Sequence, residues 1–271
     1  MTLVVCGLSI GNPDDISPRV LQKLREADLI AAEDTRSAAR LLQKHGLGKK
    51  IISFYDHNEQ EKTPQILEKL QAGQTVALLS EAGMPLISDP GYHLVAAARE
   101  ASLDIDVIPG PTALITALAA SGLPTDRFAF EGFLPSKPAA RQKTLAALQN
   151  ETRTLIFYEA PHRISAALQD IAAIFPQRQC FVARELTKKY QEFWRGAAAE
   201  ILAKLQTPRG EFVIVLAGRS AADCTEIPPE AKKLLAALQK AGLPDSQRVD
   251  ITAKVFQLAR NHLKKIIYSL Q

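Results

Sequence analysis

Four side chains that can accept a proton follow predicted strands in this sequence. In the stretches EDTR, DHNEQ and FYEAPHR they are Asp34, Asp56, His57 and Glu159. A carboxylate or an imidazole in such a position can act as a general base toward a hydroxyl group. A carboxylate at a strand end also often caps the next helix, so capping and catalysis both remain open for Asp34. For His57, a hydrogen bond that orders its own loop is the alternative.

These side chains belong to a wider set of unusual loops. The loops that follow five predicted strands are rich in Gly, Pro and hydrogen-bonding side chains. In a parallel sheet such loops meet outside the carboxyl ends of the strands, where helix N-termini and backbone N–H groups can face a ligand. We therefore expect a ligand site built from the loops GLSIGNPDD, EDTRS, DHNEQE, SEAGMPLISDPG and PGPTAL.

The first part of the chain alternates short apolar runs with helical patterns. Runs that are apolar on both faces and separated by helices predict a parallel α/β sheet with both faces covered. Ser17 and Pro18 indicate the N-cap and first residue of one helix, and Thr35 indicates the cap of the next. The predicted strands are 3–6, 28–32, 51–54, 75–79 and 104–108.

The character of the chain changes after the turn VIPGPTA. Two of the later strand-like runs alternate polar and apolar residues, which favours a mixed sheet with partly antiparallel pairing. The predicted fold class is α/β, with a parallel-sheet domain over 1–111, a mixed-sheet α/β domain over 112–220 and a small basic helical segment over 226–271. The later predicted strands are 127–133, 154–158, 180–184, 190–194 and 211–217.

Composition excludes several classes of protein. With 46% hydrophobic and 23% charged residues, the chain reads as an ordinary globular protein. No stretch approaches the roughly 18 apolar residues of a membrane span, and the N-terminus lacks signal-peptide features, so we expect a cytoplasmic protein without membrane association. Cys6, Cys180 and Cys224 are far apart and form no CxxC pair, so we expect neither a disulfide framework nor a metal site. The net charge of +4 permits a polyanionic partner without requiring one.

The loops lack two common nucleotide fingerprints, since GLSIGN contains neither GxGxxG nor GxxxxGKS/T. Taken in order, the loops nevertheless resemble those of the tetrapyrrole (corrin/porphyrin) methylase superfamily. Within it, the chain is most similar to the branch that methylates the ribose 2′-oxygen of a cytidine in small-subunit ribosomal RNA. The resemblance covers 3–218 and is carried by GLSIGN, AAEDTR, DHNEQ, SEAGMPLISDPG, PGPTALITALAASGLPTDRFAFEGFLP, TLIFYEAPHR and ARELTKKYQEFWRG.

The resemblance implies a homodimer of two-domain subunits, each with S-adenosylmethionine bound in the cleft between its domains. This cofactor suits backbone donors and acceptors with apolar walls, and Gly83 would allow close approach while Pro85 fixes the loop. For Ile10 and Ile87, plain core packing remains an alternative. Carried over residue by residue, the cofactor would contact Ile10, Gly83, Met84, Pro85, Ile87, Thr112, Ala113 and Tyr158.

The RNA substrate that the resemblance implies, either small-subunit rRNA or the assembled 30S subunit, has to be held by its phosphates. Basic side chains lie in or beside the same loops, although each taken singly also fits a solvated surface. The candidates for substrate binding are Arg36, Lys137, Arg141, Arg163 and Lys188, and the C-terminal segment adds Lys232, Lys233, Lys240, Arg248, Lys254, Arg260, Lys264 and Lys265.

Two other functions compete with RNA methylation. A small-molecule methylase of the same fold, acting on a tetrapyrrole, has no need of a basic helical tail, so the tail argues against it. A non-catalytic binding protein that retains the fold is the third possibility, and binding of S-adenosylmethionine is the measurement that separates it from the two enzymes.

Overall fold

The protein is described by a computed structural model that covers residues 2–206, 208–220 and 229–256, together with residues 258, 260, 263, 264 and 267. Cys224 and Lys265 lie outside the described residues. No helix within these ranges is long and apolar enough to cross a membrane.

The first sheet is entirely parallel, with strand order β3-β2-β4-β1-β5. Its strands are apolar and almost wholly buried in the centre, which is typical of a sheet covered by helices on both faces. This confirms the predicted parallel α/β arrangement. The strands are β1 (Thr2–Cys6), β2 (Leu29–Ala32), β3 (Lys50–Ser53), β4 (Thr75–Leu79) and β5 (Ile105–Ile108).

Helices connect these strands, and their N-termini lie at the strand ends. The Ser17 side chain accepts a hydrogen bond from the backbone N–H of Val20 at 3.2 Å, which confirms the predicted cap. The predicted cap at Thr35 is wrong by one residue, because Asp34 has the extended backbone of an N-cap and accepts from the Arg36 N–H at 2.8 Å. The elements are a 3-10 turn (Pro13–Asp15), α1 (Pro18–Glu26), α2 (Thr35–Lys44), α3 (Glu59–Gln71) and α4 (Tyr92–Glu100).

The second sheet is mixed, as predicted, with strand order β6-β7-β10-β8-β9. Strands β6 and β7 are parallel and the other pairs are antiparallel. The strand predicted at 190–194 is wrong in its bounds, because a turn closed by the Gln191 N–H and the Lys188 carbonyl delays its start. The strands are β6 (Phe128–Phe133), β7 (Thr154–Glu159), β8 (Gln179–Arg184), β9 (Glu192–Ala197) and β10 (Phe212–Leu216).

Helices cover both faces of the second sheet. One face packs against α5, where Leu114, Ala117 and Leu118 meet Ile156 of β7. Ile10, from the loop after β1, joins this cluster, so a first-domain loop is part of the second domain's core. The opposite face packs against α6, α7 and α8. The helices are α5 (Ala113–Ser121), α6 (Pro138–Ala147), α7 (Ile164–Ile174), α8 (Ala198–Lys204), α9 (Pro229–Lys240) and α10 (Asp245–Phe256), the last two packing on each other.

Strand β6 contains a β-bulge. Phe130 pairs with Ile156, but the next pairing joins Phe133 to Tyr158, so three steps along β6 match two along β7. Gly132 within the bulge has φ of +67°, a left-handed conformation that glycine adopts without strain. Bulges of this kind re-aim side chains and are common at sheet edges beside functional sites, and β6 is an edge strand.

Gly7 is a position where the fold leaves no room for a side chain. A Cβ atom there would lie 2.6 Å from the Gly110 nitrogen and 2.6 Å from the Met84 sulfur. We expect Gly7→Ala to lower the free energy of unfolding by about 1–3 kcal/mol, as overpacking does elsewhere. Urea unfolding measures the change. Gly48→Ala is the matched control, since a Cβ there meets no described residue within 4 Å, and an equal loss in both variants would contradict the prediction.

Candidate active site

A cleft of about 310 Å³ lies between the two domains, where the loops after the first sheet's strands face the second sheet. Its volume falls within the range of small-molecule and cofactor sites. The lining residues are Ile10, Ala82, Gly83, Met84, Ile87, Ser88, Asp89, Thr112, Ala113, Phe133, Tyr158, Glu159, Ala160, Pro161, Leu186, Glu211, Phe212 and Val213.

The loop between β4 and α4 forms one wall. Gly83 has φ of +73° and is tied to the loop after β1, because its carbonyl accepts from the Leu8 N–H at 2.7 Å and its own N–H donates to the Ser9 carbonyl at 3.3 Å. Leu86 and Ser88 also lie at positive φ, at 75° and 65°. Such strain in non-glycine residues clusters at ligand sites, where the surrounding structure compensates for it.

The loop after β8 meets the loop after β1 at the floor of the cleft. The Thr187 hydroxyl accepts a hydrogen bond from the Asn12 N–H at 3.0 Å. A Cβ on Gly11 would lie 2.5 Å from Cγ of Lys188, so the two loops touch without space between them. Lys188 itself donates to Glu185 at 3.0 Å and to Glu211 at 2.9 Å. The two domains are therefore in direct contact below the cleft.

Tyr158 anchors the second-domain wall. Its hydroxyl accepts a hydrogen bond from the Leu114 N–H in the first turn of α5 at 3.2 Å. Burial raises the pKa of the Tyr158 hydroxyl, so it stays neutral. Its ring makes edge contacts with the rings of Phe130 and Phe133, with centroids 4.8 Å and 5.7 Å apart. Tyr158 thus holds both an aromatic cluster and the start of a helix.

Glu159 is a buried carboxylate beside the cleft, with only 2% of its surface exposed. Its Oε1 accepts from the Ala160 N–H at 2.9 Å and forms an ion pair with Nε of Arg163 at 3.1 Å. Its Oε2 is buried and has no hydrogen-bond partner among the residues that the structure describes. Burial raises the pKa of the carboxyl group. Since buried polar atoms are rarely left unpaired, Oε2 is a candidate acceptor for a ligand, although neighbouring residues cover the side chain completely in this structure.

Asp89 is a cleft residue that the sequence analysis did not single out. Burial and the negative charge of Glu33, with smaller contributions from Asp56 and Glu81, raise the pKa of its carboxyl group to about 7. A carboxylate with a pKa near neutrality is suited to proton transfer at physiological pH. The signal in the sequence was a second carboxylate within the longest Gly- and Pro-rich loop, which also fits the start of α4.

The structure separates the four predicted bases. Glu159 lines the cleft, whereas Asp34, Asp56 and His57 do not. Asp34 caps α2, and the hydrogen bond from the Arg36 N–H lowers the pKa of its carboxyl group, so it is a weak base. Asp56 and His57 are exposed. In the described part of the chain, no group of three His, Cys, Asp or Glu side chains could hold a metal ion.

Seven of the eight predicted cofactor contacts line the cleft, and Pro85 does not. Pro85 is buried next to Met84 and Gly83, where it shapes the loop without reaching the cleft surface. The seven that line the cleft are Ile10, Gly83, Met84, Ile87, Thr112, Ala113 and Tyr158.

The predicted RNA contacts differ in their availability. Arg36 and Lys137 are exposed, whereas Lys188 is paired with two carboxylates. Arg163 is partly buried, pairing with Glu159 and donating to the Leu134 carbonyl. Arg141 is only 4% exposed, with Nε 2.6 Å from Asp170, and this burial is at odds with the expected phosphate contact. In the C-terminal segment, Arg248 is likewise buried and paired with Asp245.

Comparison with known proteins shows which family has this architecture. Residues 2–202 match the family described as Tetrapyrrole (Corrin/Porphyrin) Methylases. The chain belongs to this family. A uroporphyrin-III C-methyltransferase from Thermus thermophilus, solved in complex with S-adenosyl homocysteine, shares its fold with a TM-score of 0.55 at 17% identity, over 79% of this chain and 97% of that one.

Two methylases of the family are much closer in sequence, and both are named ribosomal RNA small subunit methyltransferase I. The protein from Synechocystis sp. is 45% identical over 273 residues, which cover 99% of this chain and 98% of the relative. The protein from Escherichia coli O157:H7 is 44% identical over 274 residues, which cover 99% of this chain and 94% of the relative. The similarity therefore extends through both domains and the C-terminal segment.

Proposed function

We propose that this chain is an S-adenosylmethionine-dependent methyltransferase that acts on the ribose 2′-oxygen of a cytidine in small-subunit ribosomal RNA. The observation that carries the proposal is the near full-length similarity, at 44–45% identity, to methylases named for that RNA. The fold neighbours that act on tetrapyrroles are far more distant in sequence, at 17% identity for the Thermus protein, so a small-molecule substrate has less support.

The residues of the cleft fit S-adenosylmethionine. Ile10, Met84 and Ile87 supply apolar surface, and Thr112 and Ala113 bring the start of α5 to the cleft, where Tyr158 accepts from the Leu114 N–H. Oε2 of Glu159 would accept a hydrogen bond from a donor on the cofactor once the residues that cover this side chain move aside. When bound, the cofactor supplies a methyl group on a sulfonium, to which the accepting oxygen has to be held in line.

Asp89 is our proposed base for the ribose hydroxyl. A ribose 2′-hydroxyl is a poor nucleophile, so removal of its proton by a neighbouring carboxylate assists attack. Asp89 lines the cleft and is ionised only above a pH of about 7, because burial and Glu33 hold its pKa there. Its carboxylate would receive the hydroxyl proton and later release it to solvent through the open side of the cleft.

Exposed basic side chains outside the cleft would hold the RNA backbone. Arg36 stands at the first turn of α2, and Lys137 stands at the N-cap position of α6. Lys232, Lys233 and Lys240 on α9 extend the basic surface. We extend the proposal to a cytoplasmic homodimer that binds the rRNA itself or the assembled 30S subunit.

Mapping of methylated nucleotides tests the proposed function. Small-subunit rRNA from a strain that lacks this protein should have lost one cytidine 2′-O-methyl group, and expression of the wild-type chain should restore it. Purified protein with labelled S-adenosylmethionine should label either naked rRNA or 30S subunits, which decides between the two substrates. An unchanged methylation pattern in the deletion strain, or label incorporated only into uroporphyrinogen, would exclude the proposal.

Glu159→Gln tests the cofactor assignment. Glutamine keeps the size of the side chain but replaces the charged acceptor, and hydrogen bonds to charged groups contribute about 1.5–3 kcal/mol. We expect the Kd for S-adenosylmethionine to rise by about 10- to 150-fold in calorimetry. Glu192→Gln, an exposed carboxylate on β9 paired with Arg184, should leave the Kd unchanged. An unaltered Kd in Glu159→Gln would remove Glu159 from the cofactor site.

A further inference from the structure

Phe133 has an unusual setting for a large apolar side chain. It lines the cleft, yet 53% of its surface is exposed. Its ring plane lies at 67° to that of Tyr158, with centroids 5.7 Å apart, so the two rings meet edge to face and are not stacked. Exposed apolar side chains that are grouped at a cleft are characteristic of binding surfaces.

The bulge in β6 accounts for this position. Successive side chains of a strand point to opposite faces, so an unbroken β6 would place Phe130 and Phe133 on opposite faces of the sheet. Because the bulge adds one residue, both rings contact Tyr158 on the same face. The local break in the strand therefore brings Phe133 to the cleft, at the cost of regular pairing.

A second exposed apolar side chain faces the same opening from the first domain. Ile87 is 38% exposed and lines the cleft. It precedes Ser88, whose hydroxyl oxygen is 3.9 Å from where a Cβ on Gly132 would lie, so the bulge and the β4–α4 loop approach each other across the cleft. Phe133 and Ile87 thus form an apolar rim, contributed by both domains.

We propose that Phe133 is the stacking platform for an unpaired nucleobase of the RNA substrate, with Ile87 on the facing side of the rim. The proposal rests on the proposed RNA methylation. A ribose that reaches Asp89 in the cleft brings its own base to the opening, and RNA-binding proteins stack such splayed bases on aromatic side chains. Apart from Ile87, the cleft residues assigned to the cofactor are buried or partly buried, such as Ile10 at 7% exposure, whereas Phe133 is open to solvent.

Three variants of the full-length protein test the platform. Phe133→Leu keeps an apolar side chain but removes the flat ring, and Phe133→Tyr keeps the ring. Phe128→Leu is the matched control, because Phe128 lies on the same strand, is 37% exposed and is not part of the cleft. We expect Phe133→Leu to lower kcat/KM for RNA by about 5- to 150-fold, while the other two stay near the wild-type value.

Cofactor binding separates stacking from a general loss of the cleft. The Kd for S-adenosylmethionine in Phe133→Leu should change by less than about threefold. Wild-type kcat/KM in Phe133→Leu would overturn the proposal. Cofactor binding that weakens as much as RNA methylation would also overturn it, because Phe133 would then be a wall of the cofactor site.

If the wild-type protein does not methylate RNA, the proposed function is refuted. A binding measurement then tests separately whether Phe133 stacks on a nucleobase. The fluorescence of Phe133→Trp, with the wild-type signal of Trp194 subtracted, is followed during titration with a single-stranded RNA oligonucleotide. Quenching that saturates supports stacking at this position. An unchanged signal overturns the platform, whatever the protein's reaction proves to be.

Discussion

Asp89→Asn is expected to lower kcat for RNA methylation by about 10²- to 10⁴-fold, the usual contribution of a positioned general base. Asparagine keeps the size of the side chain and its hydrogen-bonding ability, but it cannot take the proton of the ribose hydroxyl. A methylation assay with saturating S-adenosylmethionine and RNA measures the change. Cofactor binding should remain close to that of the wild type, since the substitution leaves the walls of the cleft in place.

The pH dependence of the methylation rate is a second test of Asp89 as the general base. Asp89 has a pKa of about 7 because burial and the charge of Glu33 oppose ionisation. The wild-type rate should therefore rise as the pH increases through about 7, and this limb should be absent in Asp89→Asn. Asp56→Asn is the matched control: it removes a charge that raises the pKa of Asp89, so the limb should move to lower pH with little loss of maximal rate.

Stability distinguishes a lost base from a misfolded protein. A raised native-state pKa means that the folded protein holds the Asp89 proton more tightly than the unfolded chain, so this group's contribution to stability falls as the pH rises from about 4 to 7. Asp89→Asn should accordingly melt at the same or a higher temperature than the wild type at pH 8.

The rate profile gives the outcome that would contradict the assignment. If the rate of Asp89→Asn still rose with pH near 7, the proton transfer would belong to another group.

Arg141→Met is expected to destabilise the protein by about 3–5 kcal/mol, the cost of breaking a buried ion pair by removing one partner. Arg141 is 4% exposed, and its Nε lies 2.6 Å from Oδ2 of Asp170, itself 9% exposed. Methionine would leave the Asp170 charge with Gln142, which donates to its other oxygen at 2.9 Å. Urea unfolding followed by circular dichroism measures the loss.

Two further variants show whether the loss comes from the buried pair. Arg141→Met combined with Asp170→Leu removes both charges and should recover much of the stability, since paired apolar replacements of buried ion pairs are often neutral or better. Lys143→Met, an exposed change on the same helix, should stay within about 0.5 kcal/mol of the wild type. If Arg141→Met kept its stability and lost RNA affinity, Arg141 would be an RNA contact after all.

Most of the architecture could be predicted because it depends on local patterns. The strands of the parallel sheet are short apolar runs. Ser17 with Pro18 predicts the start of a helix, because the capping hydrogen bond reaches only three residues along the chain. The errors lie where a neighbouring residue competes for the same position. Asp34 and Thr35 can both cap a helix, and the backbone conformation of Asp34 decides between them. The turn before β9 depends on hydrogen bonds within 185–191 that no strand propensity encodes.

The site was harder to predict because burial and charge are set by residues distant in the chain. Burial raises the pKa of Asp89, and the charges of Glu33 and Asp56, which other strands bring to the same sheet edge, raise it further. The sequence predicted Arg141 as a basic side chain that contacts RNA. In the structure its side chain is buried and forms an ion pair with Asp170 on the next helix. Phe133 reaches the cleft through a bulge, and strand alternation alone would have placed it on the other face.

The contact between the loops after β1 and β8 has a thermodynamic consequence. The Asn12 N–H donates to Thr187, and Ile10 packs within the second domain's core. Unfolding of either domain would therefore break contacts that the other domain makes beside the cleft. A ligand held between the two domains then binds only the state in which both are folded. By mass action it stabilises them jointly, by about 2.7 kcal/mol at a hundredfold excess over its Kd. The free energy of unfolding of the whole chain therefore depends on the cofactor concentration, through the interface between the two domains.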